Sequence, residues 1–234
     1  MSTKYSVLRS MSSQYAVADD FYGKAMYTDA IAALGDDQSA SALYRKARWL
    51  SEIGDETDDK RKKAELYREA VETALKAVAA DDKNFETHKN AAITKGKLLD
   101  HTGLNEMVQL TKDVKDHIET AISLESNDSA SWHVLGMWHK GVAALNWPTR
   151  MALSVLFGGM PEASNDKAVE CLEKANQCYP NATSVVERAK VLLDMGRKAE
   201  AKAALESSLD MDTDLPVYRK AQDEARGLLA NTRW

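Results

Sequence analysis

The residue types that commonly carry out chemistry are present in this sequence, but their spacing does not fit a catalytic motif. None of the five histidines belongs to an H-E-x-x-H pattern, which places two zinc ligands on one helix face. The Gly158–Gly159 pair precedes Met160, whereas a phosphate-binding loop ends in Gly-Lys-Ser/Thr. Cys171 and Cys178 are too few cysteines for a zinc site. We therefore predict a non-enzymatic protein without cofactor or metal.

Length and composition favour a folded, soluble protein and exclude several classes. The 234 residues are 44% hydrophobic and 29% charged, and no apolar run reaches the roughly 18 residues of a bilayer span. The N-terminus lacks the apolar core of a secretory signal, so we expect a cytoplasmic protein without a transmembrane segment. The net charge of −5 makes nucleic acid an unfavourable partner.

The pattern of apolar residues is helical almost throughout. Only 11 glycines and four prolines occur, and no segment alternates as a strand would. Leu43, Ala47 and Leu50 share one helix face, a charged segment follows, and a second helical pattern begins near Leu66. The same unit of two helices recurs along the chain. We therefore searched the sequence for repeats.

The third unit matches the tetratricopeptide consensus best. Trp132, Leu135 and Gly136 reproduce the W-x-x-L-G of its first helix, and Ala168 and Pro180 match its second helix and its end. Glycine and alanine allow close approach of two helices, and proline cannot continue one. We predict an all-α, tetratricopeptide-repeat-like right-handed helical solenoid.

The repeat boundaries follow from this match. We predict a flexible N-terminus, residues 1–17, followed by one solenoid domain, residues 18–230. The domain contains four repeats, 39–84, 85–128, 129–181 and 182–213, and a capping helix, 214–230. Trp132 and Pro180 are 48 residues apart, against about 28 in the consensus. The third repeat should therefore contain a helical insertion.

The insertion is rich in large apolar residues. We predict that Trp147 ends one helix and that Pro148 begins the next. Its apolar side chains are Leu145, Trp147, Met151, Val155, Leu156, Phe157 and Met160. We expect this surface to pack across its own repeat, because it is large for exposure to water. The alternative is that it walls a cavity for a lipid or another hydrophobic ligand.

The stretch from Ser131 to Pro180 resembles the regulator of microtubule dynamics family. The resemblance rests on a W-H-x-L-G-x-W pattern, then an apolar run, a tryptophan, an arginine and L-F-G-x-x-P. The residues that carry it, which we interpret as structural, are Trp132, Leu135, Gly136, Trp138, Trp147, Arg150 and Pro180. It implies a microtubule-associated protein of the cytoskeleton, the spindle and the spindle poles. Some members carry an N-terminal membrane anchor, which we do not find here.

Two sets of residues, most of them bases, are candidate contacts for the acidic tails of tubulin. The first set lies on the inner faces of the predicted first helices and comprises Tyr44, Arg48, Lys89, His133, Lys140 and Lys190. Such a groove would suit an acidic extended peptide. Lys89 and Asn90 match one corner of a chaperone-binding clamp, but His133 and Val134 depart from the next corner. A chaperone adaptor is therefore disfavoured, whereas an adaptor without tubulin contact remains an alternative.

The second set is a run of four bases on a predicted loop, Lys60, Arg61, Lys62 and Lys63. The acidic residues from Asp55 to Asp59 immediately before the run could neutralise it instead. Exposed ion pairs contribute about 0.2–1 kcal/mol each, so four give at best about millimolar affinity. A polymer with repeated acidic tails would strengthen binding by raising the effective concentration. We therefore expect weak, salt-sensitive binding.

Overall fold

A computed structural model describes residues 13–159, 162–212 and 215–234, and its regular elements there are all helical. Short 3₁₀ turns cover Ser13–Tyr15 and Leu99–His101. The α-helices are α1 (Ala16–Gly23), α2 (Tyr27–Leu34), α3 (Ala40–Glu56), α4 (Lys60–Ala80), α5 (Phe85–Leu98), α6 (Leu104–Leu124), α7 (Ser129–Ala144), α8 (Trp147–Leu156), α9 (Asn165–Cys178), α10 (Ala182–Asp194), α11 (Lys198–Ser208) and α12 (Pro216–Asn231). The predicted all-α class is confirmed. None of the helices in these residues combines the length and apolar character of a bilayer span.

The helices begin where the sequence supplies capping side chains. At seven helix starts a polar side chain accepts a hydrogen bond from a backbone N–H of the first turn. These residues are Ser39, Asp59, Asn84, Asp128, Asn146, Ser164 and Asn181. Because such caps satisfy otherwise unpaired N–H groups, they fix the boundaries between successive helices.

The chain forms two compact units, Met1–His101 and Thr102–Trp234. In the first unit, α3 packs on α4, and α5 contacts both helices. Ala47, Ala74 and Ala91 are completely buried where these three helices meet. Alanine at the contact allows the backbones to approach closely, as the repeat pattern requires.

The last part of the segment that we predict to be flexible, residues 13–17, lies within the described structure. Residues 13–17 form a 3₁₀ turn and the beginning of α1, and the Tyr15 ring is 6% exposed. The Tyr15 hydroxyl donates to Asp37 Oδ2 at 2.6 Å. The remainder of that segment, residues 1–12, lies outside the described residues. Apolar burial and this hydrogen bond stabilise the helical structure that begins before residue 18.

The second unit contains two helix pairs, α7 with α9 and α10 with α11, and α12 packs on the latter pair. Leu172, Val185, Leu192 and Leu205 are almost completely buried, and Ala225 of α12 joins the same core. The final helix therefore covers apolar surface of the last pair, as a cap does. It begins at Pro216, two residues later than expected, and residues 213 and 214 lie outside the described part.

The predicted insertion is α8, which lies between α7 and α9 in sequence and packs on α6. The sequence-based boundary was wrong here, because α7 ends at Ala144 and Trp147 opens α8. Asn146 caps α8 through its side chain, and Pro148 occupies the first turn as predicted. Met160, and Pro161 of the family pattern, lie outside the described residues.

Candidate interaction surfaces

The run Lys60–Lys63 lies in the first turn of α4 rather than in a loop, which corrects the prediction. Asp59 caps this turn by accepting the Lys62 backbone N–H at 2.8 Å. The cap stabilises helix from residue 60 onward, and this is why the bases are helical. Lys60, Arg61 and Lys62 are exposed and Lys63 is partly exposed. We call these four residues the α4 basic turn.

The preceding acidic residues neutralise the α4 basic turn only in part. Asp55 accepts hydrogen bonds from the Tyr67 hydroxyl at 2.6 Å and from Lys97 Nζ at 2.6 Å. Burial raises the pKa of Tyr67, and the hydrogen bond to Asp55 raises it further. Lys63 Nζ reaches only the Asp55 carbonyl oxygen, at 3.5 Å. The Asp55 carboxylate is therefore committed elsewhere.

The three ammonium groups of the turn, those of Lys60, Lys62 and Lys63, have no ion-pair partner within the described residues. Arg61 pairs with Glu65 one helical turn later, at 3.0 Å, and its side chain is 91% exposed. Lys60 and Lys62 form no ion pair there. Acidic side chains are the favourable ones at a helix N-terminus, because the macrodipole is positive at that end. The stability of α4 therefore does not explain four successive bases.

The predicted groove bases of the first unit are engaged within the chain. Arg48 Nε donates to Glu52 Oε1 at 2.6 Å. Lys89 is 7% exposed and pairs with Glu86 at 2.9 Å. The Tyr44 hydroxyl accepts from Arg45 Nη1 at 2.7 Å, and burial raises the pKa of Tyr44 to about 12. A ligand would have to compete with these contacts.

The groove bases of the second unit converge on one carboxylate. Lys140 of α7 and Lys190 of α10 both donate to Glu187, at 2.9 and 2.7 Å. Lys190 also pairs with Glu224 of α12 at 2.8 Å. Burial acts to raise the pKa of Glu187, but the hydrogen bonds from Lys190 and Lys140 outweigh it and lower that pKa. His133 Nδ1 lies 3.1 Å from Ser184 Oγ, a contact between the same two helices.

The signature residues before the insertion have packing roles. Trp132 Nε1 donates to the Ser126 carbonyl at 2.8 Å, and Trp138 Nε1 donates to the Thr111 carbonyl at 2.8 Å. Leu135 is buried, and Gly136 lies against α9. Pro180 follows the last helical turn of α9, where it prevents continuation of the helix.

The insertion exposes part of the apolar surface that we expected it to bury. Trp147 is 72% exposed, Val155 is 82% exposed, and Met151, which lies between them on the same face, is 39% exposed. The buried contacts of α8 come instead from Thr149 and Leu153. The prediction is wrong for this stripe, because the inward face of α8 packs on α6, which precedes the third repeat, and Trp147, Met151 and Val155 lie on another face. Leu145, Leu156 and Phe157 are partly buried, and the Phe157 ring lies 6.2 Å from that of Trp138. Arg150 lies between the two faces and is partly exposed.

The side chains that could support chemistry are dispersed. Among residues 13–159, 162–212 and 215–234, histidine, cysteine and acidic side chains do not gather into a metal site. Burial, with Glu170 nearby, raises the pKa of the Cys171 thiol to about 11, which leaves it protonated and unreactive at neutral pH. What the arrangement offers is ion pairing and apolar contact.

Two important polar residues were missed by sequence reasoning. Asp19 forms a buried ion pair with Arg45, 26 residues later, at 2.9 Å. Glu187 pairs with Lys140 across 47 residues. In both cases the partners lie on different helices, so periodicity within one helix gives no signal for the pairing. The consensus register identified position 190 and passed over 187.

Known proteins resemble this chain in sequence. It is 33% identical to regulator of microtubule dynamics protein 3 of Xenopus laevis over 76% of this chain and 38% of that protein. It is 28% identical to regulator of microtubule dynamics protein 1 of Homo sapiens over 81% of this chain and 60% of that protein. The chain thus spans less than two thirds of these relatives.

Known proteins also share the fold. A crystal structure of a thermophilic TPR protein from Thermus thermophilus superposes with a TM-score of 0.69 at 16% identity, over 93% of this chain and 97% of that one. This likeness confirms the tetratricopeptide-like fold. The profile of the family described as Regulator of microtubule dynamics protein 1-3 matches residues 13–233. The resemblance identified in the sequence is therefore confirmed, and the chain belongs to the regulator of microtubule dynamics protein 1-3 family.

Proposed function

We propose that this protein is a non-enzymatic, microtubule-associated interaction protein that regulates microtubule dynamics through weak contact with the acidic surface of tubulin. The names of its relatives support the microtubule-related role. Direct binding to tubulin, cytoplasmic location on the cytoskeleton, and a place at the spindle and spindle poles are further parts of the proposal. The proposal also includes other protein partners, which bind through the first-helix surfaces.

The α4 basic turn is the observation that carries the proposal. It presents four consecutive bases on the surface, and Lys60 and Lys62 lack ion-pair partners within the described residues. The groove bases Arg48, Lys140 and Lys190 are already paired with carboxylates of the chain. At the α4 basic turn, an acidic partner therefore competes with fewer carboxylates of the chain itself than it does in the groove.

The contact must be weak when it acts alone. Exposed ion pairs contribute about 0.2–1 kcal/mol each, so four supply at most about 4 kcal/mol, which corresponds to a dissociation constant of about 1 mM. A microtubule offers acidic tails in a regular array, and repeated engagement raises the effective concentration. Salt should weaken binding strongly, because exposed charges are screened over about 10 Å at 0.1 M.

The test is cosedimentation with taxol-stabilised microtubules. The variant changes Lys60, Arg61, Lys62 and Lys63 to Glu. We expect salt-sensitive binding of the unchanged protein, its loss when subtilisin removes the acidic tubulin tails, and a decrease of at least about tenfold in the variant. Its melting temperature should stay close to that of the unchanged protein, since these bases contribute little to packing.

The matched control changes four dispersed, exposed lysines to Glu and so alters the net charge equally. These are Lys76, Lys83, Lys174 and Lys220. We expect the control to bind more tightly than the α4 variant. Equal weakening of both would show that overall charge alone matters, and unchanged binding of the α4 variant would exclude the turn as the contact.

A second candidate function is binding of a lipid or another hydrophobic ligand. The observation that favours it is the exposed stripe Trp147, Met151 and Val155 on α8. The stripe faces outward, so it supports contact on the surface of α8 rather than enclosure of a ligand beneath it. Native mass spectrometry of the purified protein, before and after incubation with lipid, tests this function. If the protein is free of ligand in both measurements, the function is excluded.

A further inference from the structure

Two lysines of the second unit hold the carboxylate of Glu187 between them. Lys140 reaches it from α7 and Lys190 from α10, so two helices of successive repeats hold one acidic group with distances of 2.9 and 2.7 Å. The side chains of Lys140 and Lys190 are 22% and 28% exposed. Both lysine side chains are thus partly accessible to solvent.

The carboxylate now in this site belongs to the chain itself. Glu187 carries the paired charge in its ionised form, since Lys190 and Lys140 lower its pKa despite its burial. Glu224 of α12, with a side chain 46% exposed, competes in addition for Lys190. The Glu187 side chain is 16% exposed, so it has to swing outward into water when an incoming carboxylate takes its place, and its release from Lys140 and Lys190 opposes binding.

We propose that the surface of the second unit around Lys140 and Lys190 binds an acidic extended peptide, and that Glu187 restrains this binding by occupying the ligand's place. The exchange replaces one carboxylate with another between the same two ammonium groups. His133 and Ser184 form a further polar contact between α7 and α10. From residue 133 to 140 the helix rises about 10 Å, which matches about three residues of an extended peptide.

This inference depends on the proposed function in one respect only, namely which protein supplies the acidic peptide in the cell. The α4 basic turn lies in the first unit, whereas Lys140, Glu187 and Lys190 all lie in the second. Binding of a free acidic peptide is therefore measurable whether or not the protein binds microtubules. The two sites also differ chemically, because the α4 basic turn has unpaired bases and the second site must first release its own carboxylate.

The experiment measures fluorescence anisotropy of a labelled oligoglutamate peptide at low salt. The variant Glu187→Gln leaves a carbonyl oxygen in place but removes the competing charge, and we expect about threefold to tenfold tighter binding. The control Glu200→Gln makes the same change in net charge at the Arg197 pair of α11. Tighter binding by E187Q than by E200Q supports the proposal, and equal binding overturns it.

A triple variant assigns any gain to the two lysines. K140Q/E187Q/K190Q should bind no more tightly than the unchanged protein, and a persistent gain would overturn the assignment. Glu224→Gln provides a second test if E187Q fails to fold, because Glu224 is more exposed and its removal takes away one of the two carboxylates that pair with Lys190. A smaller gain supports the proposal, and no gain counts against it. Charge reversal in the α4 basic turn should leave the increase in peptide affinity caused by E187Q unchanged.

Discussion

Gly136 of α7 lies against Leu172 of α9 so closely that a β-carbon at residue 136 would be 2.8 Å from Leu172 Cγ and 3.2 Å from the Ala168 carbonyl oxygen. Leu172 is completely buried, so its branch point has little room to move. Glycine therefore sets how closely the two helices of the third repeat approach each other.

The first prediction concerns Gly136→Ala. Overpacking against Leu172 should cost about 1–3 kcal/mol, while better helix propensity returns about 0.5–1 kcal/mol. We expect a net decrease in the free energy of unfolding of about 1–2 kcal/mol, measured by urea denaturation. Gly141→Ala in the same helix is the control, because a β-carbon there meets no heavy atom within 4 Å. It should be neutral or slightly stabilising, and equal destabilisation by both changes would contradict the packing argument.

The second prediction separates the two faces of α8. Leu153→Ala should lower the free energy of unfolding by about 2–4 kcal/mol, because Leu153 is 1% exposed and its loss leaves a cavity. Trp147→Ala should change it by about 0.5 kcal/mol or less, since the ring is 72% exposed. Thermal melts of both variants give the comparison. A large effect at Trp147 would mean that its ring is buried in solution.

The third prediction concerns the buried ion pair between Asp19 and Arg45. Asp19→Ala leaves the guanidinium without its carboxylate and should cost about 3–5 kcal/mol in urea denaturation. Glu65→Ala breaks the exposed pair with Arg61 and should cost about 0.5 kcal/mol or less. If the two changes lowered the free energy of unfolding by similar amounts, burial of the Asp19–Arg45 pair would contribute nothing to stability.

The fourth prediction is a pH dependence that arises at His139. Burial, followed by the charges of Lys167 and Lys115, lowers the pKa of His139, and Glu119 opposes this. The unfolded chain therefore binds a proton near the ordinary pKa of about 6.5, whereas the folded chain does so only at lower pH. Stability should fall as the pH decreases below about 6.5. His139→Gln should reduce this dependence in urea midpoints compared between pH 7.5 and 5.5, and an unchanged slope would exclude His139 as its origin.

The sequence predicted features that depend on interactions between residues close together in the chain, and it missed features that depend on distant residues. Capping residues and apolar spacing act within a few positions of the chain, so the helices and the close contact at Gly136 were predictable. The boundary of α8 was misplaced by the sequence analysis because Trp147 suits either neighbouring helix, and the Asn146 cap decides between them.

By itself, the sequence determined an all-helical chain of repeated helix pairs, together with its family, because local periodicity and residue type encode both. Only the tertiary structure decided which charges remain available. It commits Asp55 to Tyr67 and Lys97, which leaves part of the α4 basic turn without partners, and it places Glu187 between Lys140 and Lys190. Such pairings join residues tens of positions apart, and they exist only where packed helices bring those side chains within hydrogen-bonding distance.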